Sequence, residues 1–295
     1  MTIYIVDRKT KEVREEIVYG ESLLHLLYRQ TRFSKCCRAL ISKLPLASAL
    51  FGIWQKNPFS KRQIDPFVKK FEINLQECAK QNFSSFNDFF IRKLKKGARE
   101  ISVDDLVCPA DGRYLAYDRI ALHQEIFIKG QKLSISKLLE AREGGANRYI
   151  GGSLLMARLA PADYHRFHFP VDCTPSEHKL IGGYLYSVNP LALRTNISYL
   201  SENKRVVIEL QTEQFGLVSF IAVGATNVGS IHFTYQPGKK YRKGDEMGYF
   251  SFGASMCICL FEPGKLTFSP DVIQNTKEGL ETLCQMGQSL IRLIN

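Results

Sequence analysis

Along the chain, the spacing of apolar positions changes twice. Residues 3–18 read as a short strand pair. From Glu21 to about Phe71 the spacing turns helical, with Leu23, Leu24, Leu27 and Tyr28 on one face and Leu40, Ile41 and Leu44 continuing it. Past the stretch SFNDFFIRKLKKGAREI the helical period stops. From Leu106 onward, short apolar runs alternate with Gly, Pro and Asn turns: LVCPADGRYLAY, EIFIKGQ, SLLMARLAP, RVVIELQT, LVSFIAVGA, GSIHFTY and MCICLFE. Strands at that spacing predict a sandwich or barrel. Helices are expected at 134–142 and near 276–291. The expected class is α+β: basic N-terminal helices over 1–105, membrane-associating, attached to a β-rich, sandwich- or barrel-like catalytic domain over 106–295. No internal repeat and no low-complexity segment interrupts the chain.

Charge sharpens that division. The formal net charge is +11 over 295 residues. Residues 1–100 hold 20 Lys and Arg against 10 Asp and Glu, and the remainder holds 20 against 19. A one-sided basic segment points to a polyanionic partner, nucleic acid or an anionic lipid surface. Between Ser22 and Phe71 ten basic residues, among them Arg29, Arg32, Lys35 and Arg38, face one acid, Asp65. With Leu50, Phe51 and Trp54 among them, basic amphipathic helices suit a membrane interface. A helical hairpin packed on the domain with solvated lysines explains the pattern equally well. No recognised nucleic-acid motif accompanies the charge.

The apolar run Leu44–Trp54 falls short of the roughly 18 residues a spanning helix requires. The N-terminus has no apolar core of a secretory signal. Eight cysteines without a CxxC pair suggest a reduced cytoplasmic setting.

Three segments could carry chemistry. Pro109-Ala110-Asp111-Gly112 has the composition of a β-turn, which is its more frequent meaning. Asp163-Tyr164-His165-Arg166-Phe167-His168 places two of the six histidines three apart in a segment bracketed by Pro161 and Pro170. Too few ligands accompany them for zinc. Acid–base work suits them better, with a structural role about as frequent. Phe252-Gly253-Ala254-Ser255-Met256 is a turn entering an apolar strand, with Ser255 at its mouth. No G-x-S-x-G elbow surrounds that serine.

Together these segments resemble the phosphatidylserine decarboxylase family. Ser85 to Lys95 (SFNDFFIRKLK) is similar to the family's opening motif. Pro109 to Gly112, Ile128 to Gln131, Leu159 to Pro170, Val223 to Ile231 and Glu246 to Phe250 follow in the family's order. The cleavage motif there usually reads G-S-T, with a longer form F-G-G-S-T. Here it reads F-G-A-S-M, and the longer form places the nucleophile at Ser255.

The resemblance implies a chain that cuts itself between Ala254 and Ser255. In that scheme Asp111 orients His168, and His168 deprotonates Ser255. Ester formation, elimination and hydrolysis then leave a pyruvoyl group at residue 255, and fragments 1–254 and 255–295 remain paired. That group does the work often given to pyridoxal phosphate, with neither pyridoxal phosphate nor metal: a Schiff base with the substrate amine accepts the electrons released with CO2. His165 is the candidate to position the carboxylate or return the proton.

The implied reaction converts phosphatidylserine to phosphatidylethanolamine in phospholipid biosynthesis. Its implied place is the cytoplasmic side of the cell membrane, peripherally bound to anionic phospholipid, with no nucleic-acid partner and with homo-oligomers left open. Ala254 and Met256, standing for Gly and Thr, are expected to slow cleavage, Met256 by removing a hydroxyl near the developing oxyanion. Two alternatives use the same residues: an unprocessed membrane-binding pseudoenzyme, and a Ser-His-Asp lipid hydrolase.

Overall fold

The computed structural model describes residues 2–29, 31, 32, 34, 37, 52–120, 125–128, 131–141, 145–225, 231–253 and 255–291. Its centre is a ten-stranded sheet that is open at both ends. The four middle strands, Gly112–Tyr117, Ser153–Leu159, Ser255–Phe261 and Leu217–Gly224, pair antiparallel in that order. Three of them, Ser153–Leu159, Ser255–Phe261 and Leu217–Gly224, are long apolar runs in the sequence. Ser153–Leu159 and Ser255–Phe261 are buried at every position, as strands covered on both faces must be.

Alternation along these strands feeds two cores. Cys257, Cys259 and Phe261 join Phe220, Phe167 and Phe250 on one face. Met256, Ile258 and Leu260 join Met156, Ile221 and Leu138 on the other. Over the first face lies a three-stranded sheet of Ile231–Phe233, Glu246–Phe250 and Arg166–His168. The rings of Phe167 and Phe220, 5.7 Å apart, join the two layers. The helices Ile135–Leu139 and Tyr199–Glu202 cover the second face.

The N-terminal residues enter this architecture. Tyr4–Asp7 and Val13–Glu15 form the expected hairpin, and Tyr4–Asp7 also pairs in parallel with Glu281–Cys284. Helices follow at Glu21–Tyr28 and Ile64–Phe71, with a 3-10 turn at Pro58–Gln63. Leu40, Ile41, Leu44, Leu50 and Phe51 lie outside the described residues. Ile64 and Phe67 pack with Phe83, Phe86, Phe89, Phe90 and Phe252 in a largely aromatic cluster that reaches the segment before Ser255.

Near the C-terminus the expected helix at 276–291 is replaced by a helix at Pro270–Lys277 and a strand at Glu281–Cys284. Leu280, Leu283 and Leu290 imitate a helical period. Gly279, at φ 77°, ends the helix, and the following residues insert between Tyr4–Asp7 and Gly112–Tyr117. Long-range pairing decides the outcome there.

Candidate active site

Ser255 is the first residue of the strand Ser255–Phe261, opposite Leu159 on one side and Gly224 on the other. The chain reaches it through Gly253, whose φ of 140° is poorly accessible to residues with a Cβ. Ala254 lies outside the described residues. Ser255 is 0% exposed, and its Oγ has no hydrogen-bond partner among the described residues. Leaving a buried hydroxyl unpaired costs about 1–3 kcal/mol, so this hydroxyl is held at a cost to the fold. Met256 points to the opposite face and packs in the second core. A hydroxyl at position 256 would therefore not share a face with Ser255 Oγ.

The histidines come from the segment that leaves Leu159 and becomes the strand Arg166–His168. His165 is 0% exposed, with its ring 3.8 Å from that of Phe90. Its Nδ1 lies 3.0 Å from the Asp163 carbonyl. A carbonyl only accepts, so Nδ1 carries the proton and Nε2 the lone pair. That Nε2 is buried and makes no hydrogen bond among the described residues, although the Gly253 backbone also interacts with the ring. Burial, reinforced by the charges of Arg92 and Arg113, lowers the pKa of His165 to about 3, against the opposing pull of the Asp163 and Gly253 backbone.

His168 Nδ1 donates to the Gly244 carbonyl at 2.8 Å, and Tyr164 Oη lies 3.1 Å from Nε2. With Nδ1 as donor, the neutral ring accepts from the tyrosine. Burial also lowers the pKa of His168, opposed by the Gly244 carbonyl and by the charges of Glu246 and Asp111. Both imidazoles are therefore neutral bases in the folded protein near pH 7.

Asp111 sits just before the strand Gly112–Tyr117, where the chain runs close to its neighbour. A Cβ on Gly112 would stand 2.7 Å from the Arg158 carbonyl. The Asp111 carboxylate accepts from Arg99 at 3.0 and 2.6 Å and from the Met286 amide at 2.8 Å. Its hydrogen bonds thus go to Arg99 and the Met286 amide, and it reaches His168 through its charge. Arg99 also holds Glu77, at 2.8 Å.

Sequence reasoning named Asp111, His165, His168 and Ser255 but passed over a buried ion-pair network that reaches His165 through Asp163. Glu16, from the N-terminal arm, pairs with Arg158 at 2.7 Å and with Arg113 at 2.6 Å. Arg158 also pairs with Glu281, and Arg113 with Asp163, whose carboxylate caps the Ala160 amide at 2.6 Å. The signal was present: a single arginine inside SLLMARL must be buried, and a buried guanidinium requires partners. An apolar cavity of about 160 Å³ adjoins this network. Leu23, Leu27, Phe71, Pro161, Phe252 and Gly253 help to line it. Among the described residues no group of three or more His, Cys, Asp or Glu could hold a metal ion.

Among the described residues neither histidine hydrogen-bonds Ser255; the structure places its buried hydroxyl at a strand mouth and two buried imidazoles in the segment that follows the neighbouring strand. The sequence profile described as Phosphatidylserine decarboxylase matches residues 86–292. The chain is 47% identical over 294 residues to the phosphatidylserine decarboxylase proenzyme of Chlamydia felis, covering 97% of each. It is 42% identical over 290 residues to the enzyme of the same name from Fusobacterium nucleatum, covering 97% of this chain and 96% of that one. The chain belongs to the phosphatidylserine decarboxylase family. Among solved structures, glucose permease IIA from Mycoplasma capricolum aligns with a TM-score of 0.28 at 12% identity, over 64% of this chain and 94% of that one. That likeness carries no weight.

Proposed function

We propose that this chain cleaves itself between Ala254 and Ser255. With the pyruvoyl group left on residue 255, it decarboxylates phosphatidylserine to phosphatidylethanolamine at an anionic membrane surface. The observation that carries this is the buried, unpartnered hydroxyl of Ser255 at the mouth of a central strand. The relatives' designation as proenzymes supports it.

In the first stage Ser255 Oγ gives its proton to a neutral imidazole and attacks the carbonyl carbon of residue 254. The C–N bond breaks as the acyl group moves to oxygen, and the amine takes up the proton. Elimination then releases the carboxylate of residue 254 and leaves a dehydroalanine at 255. Its hydrolysis releases ammonia and leaves the carbonyl. The 255–295 piece stays in place because Ser255–Phe261 is paired on both sides by strands of the 1–254 piece, as is Glu281–Cys284.

We assign the proton transfer from Ser255 to His168, whose Nε2 carries the lone pair, with Asp111 supporting the charge that develops. Tyr164 must release Nε2 for this. His165 then serves the second stage, placing its uncovered Nε2 where a proton is returned to Cα. One observation favours the reverse order: His165 Nε2 is already bare, and the Gly253 backbone lies against that ring. The residues fit a carbonyl at 255, since His165 is buried and neutral, interacts with the Gly253 backbone, and the mainly apolar cavity reaches Gly253. That carbonyl supplies the sink for electrons released when CO2 leaves beside an amine.

Substrate would come from the lipid side. Ile17 and Leu23 are exposed and line the apolar cavity that reaches Gly253. Trp54 and Phe59, 49% and 71% exposed, lie near Lys56, Lys61 and Arg62 in the sequence. No helix among the described residues is long and apolar enough to cross a membrane. Peripheral binding to the cytoplasmic side of the cell membrane fits this surface. The test is product analysis on phosphatidylserine vesicles. Phosphatidylethanolamine and CO2 are expected from the natural chain and neither from Ser255→Ala. Fatty acid release instead would assign the site to a lipid hydrolase.

A further inference from the structure

The segment Ser85–Arg92 holds both halves of the site. Ser85 caps the helix Phe86–Phe90 by accepting from the Asp88 amide at 3.1 Å, and the Phe86 amide donates to buried Ser60 at 2.8 Å. From this anchored turn, Asn87 Oδ1 accepts from the Phe252 amide at 3.3 Å, two residues before the scissile bond begins. Phe90 stacks on His165, and the Ile91 carbonyl accepts from Arg166 Nε at 3.0 Å.

Arg92 completes the grip. Its Nη2 donates to the carbonyls of Ala162 and Asp163, at 3.0 and 3.1 Å. The Asp163 carbonyl is the same oxygen that accepts from His165 Nδ1. Arg92 is 5% exposed, its guanidinium lies 4.9 Å from the Phe89 ring centre, and Nη1 has no hydrogen-bond partner among the described residues. A buried arginine bound to two neutral carbonyls is a costly arrangement for packing alone, since guanidinium burial is ordinarily offset by a carboxylate.

We propose that Arg92 is a positioning residue for His165. By fixing the one carbonyl that takes the Nδ1 proton, it commits the ring to a single tautomer and leaves Nε2 as the reactive nitrogen. A planar fork can reach two successive carbonyls while its charge disfavours a second proton on the neighbouring imidazole. A lysine supplies the charge without the fork. The kinetic part of this inference rests on the proposed use of His165 in the reaction. The tautomer does not.

The test uses the full chain, held uncut by Ser255→Ala so that every sample has the same covalent state. Imidazole nitrogen NMR then reads the tautomer of His165, with its signal assigned by loss in His165→Gln. With Arg92 present, a single Nδ1–H form is expected. Arg92→Met should give a mixture or the Nε2–H form, and Arg92→Lys should recover part of the Nδ1–H population. A pure Nδ1–H ring in Arg92→Met overturns the proposal. If Arg92→Met does not fold, a pure Nδ1–H ring in Arg92→Lys does the same, because the lysine cannot hold both carbonyls. In chains carrying Ser255 and fully cleaved, Arg92→Met should lower kcat by on the order of 10²-fold with KM changed less than about 2-fold. An altered tautomer with unchanged kcat would sink the use of His165 in decarboxylation while leaving the positioning intact.

Discussion

If the fold holds Ser255 Oγ without a partner, removing that oxygen should make the uncut protein more stable. The comparison requires chains that cannot divide, so Ser255→Ala is introduced into His168→Ala and compared with His168→Ala alone. The hydrogen bonds of His168 go to Gly244 and Tyr164, so its loss removes none from Ser255. The hydroxyl is wholly buried and unpaired, and relieving such a group returns about 1–3 kcal/mol. The packing lost with one oxygen atom is small beside that. A chain of this size gains roughly 2 °C in Tm per kcal/mol, so a rise of about 2–6 °C is expected by calorimetry. Intact mass on the same samples verifies that both are uncut. An ordinary buried serine, hydrogen-bonded to backbone or water, would instead lose stability on truncation. A lower or unchanged Tm would therefore refute the claim that Ser255 is held ready at a cost to the fold.

The two histidines separate by outcome: His168→Ala should leave a single full-length chain, and His165→Ala should divide but turn over lipid at least about 10²-fold more slowly. The opposite pattern on a denaturing gel assigns the roles in reverse. Both imidazoles have folded pKa values depressed by burial, His165 to about 3. The unfolded chain then binds more protons as pH falls below the ordinary histidine value near 6.5, so their contribution to stability is complete above it and lost from there toward pH 3. Urea unfolding of the uncut chain at pH 7 and pH 5 should show a loss that His165→Gln reduces by up to about 2 kcal/mol, and an equal loss in both would contradict a neutral His165. Binding to anionic vesicles should weaken with salt and with Lys56, Lys61 and Arg62 replaced by Gln, while cleavage continues unchanged. Vesicle sedimentation that ignores both changes would place the docking surface elsewhere. Met256 is buried among apolar groups, so Met256→Thr should destabilise by roughly 2–4 kcal/mol and give no faster cleavage in an intact-mass time course.

The strands were legible because their chemistry is local. Ser153–Leu159 and Ser255–Phe261 are unbroken apolar runs, and such runs become central strands almost regardless of their partners. The helix at Ile135–Leu139 was legible for a similar reason, with Ser134 capping it and Glu140 in a left-handed conformation ending it. Glu281–Cys284 was misread because its strand character comes from two partners more than a hundred residues away, which no window of sequence contains. The site divides in the same way. Ser255 and the histidines were found as motifs, whereas Glu16 enters only because the N-terminal arm folds back onto Arg113 and Arg158. The partners of Asp111 were hidden likewise: Arg99 is near in sequence, but the Met286 amide arrives from the far end of the chain. The alternation that sends Met256 away from Ser255 could have been read directly from the strand.

The central claim is that this chain makes its own reactive carbonyl, and intact mass of the purified protein tests it most directly. After synthesis and a period of hours, the sample is treated with hydroxylamine or borohydride and its masses are compared with an untreated portion. The account predicts two polypeptides, 1–254 and 255–295, with only the shorter one shifted by the reagent, and a single unshifted chain for Ser255→Ala. A natural protein that remains one chain, or that divides without a carbonyl on residue 255, would contradict it.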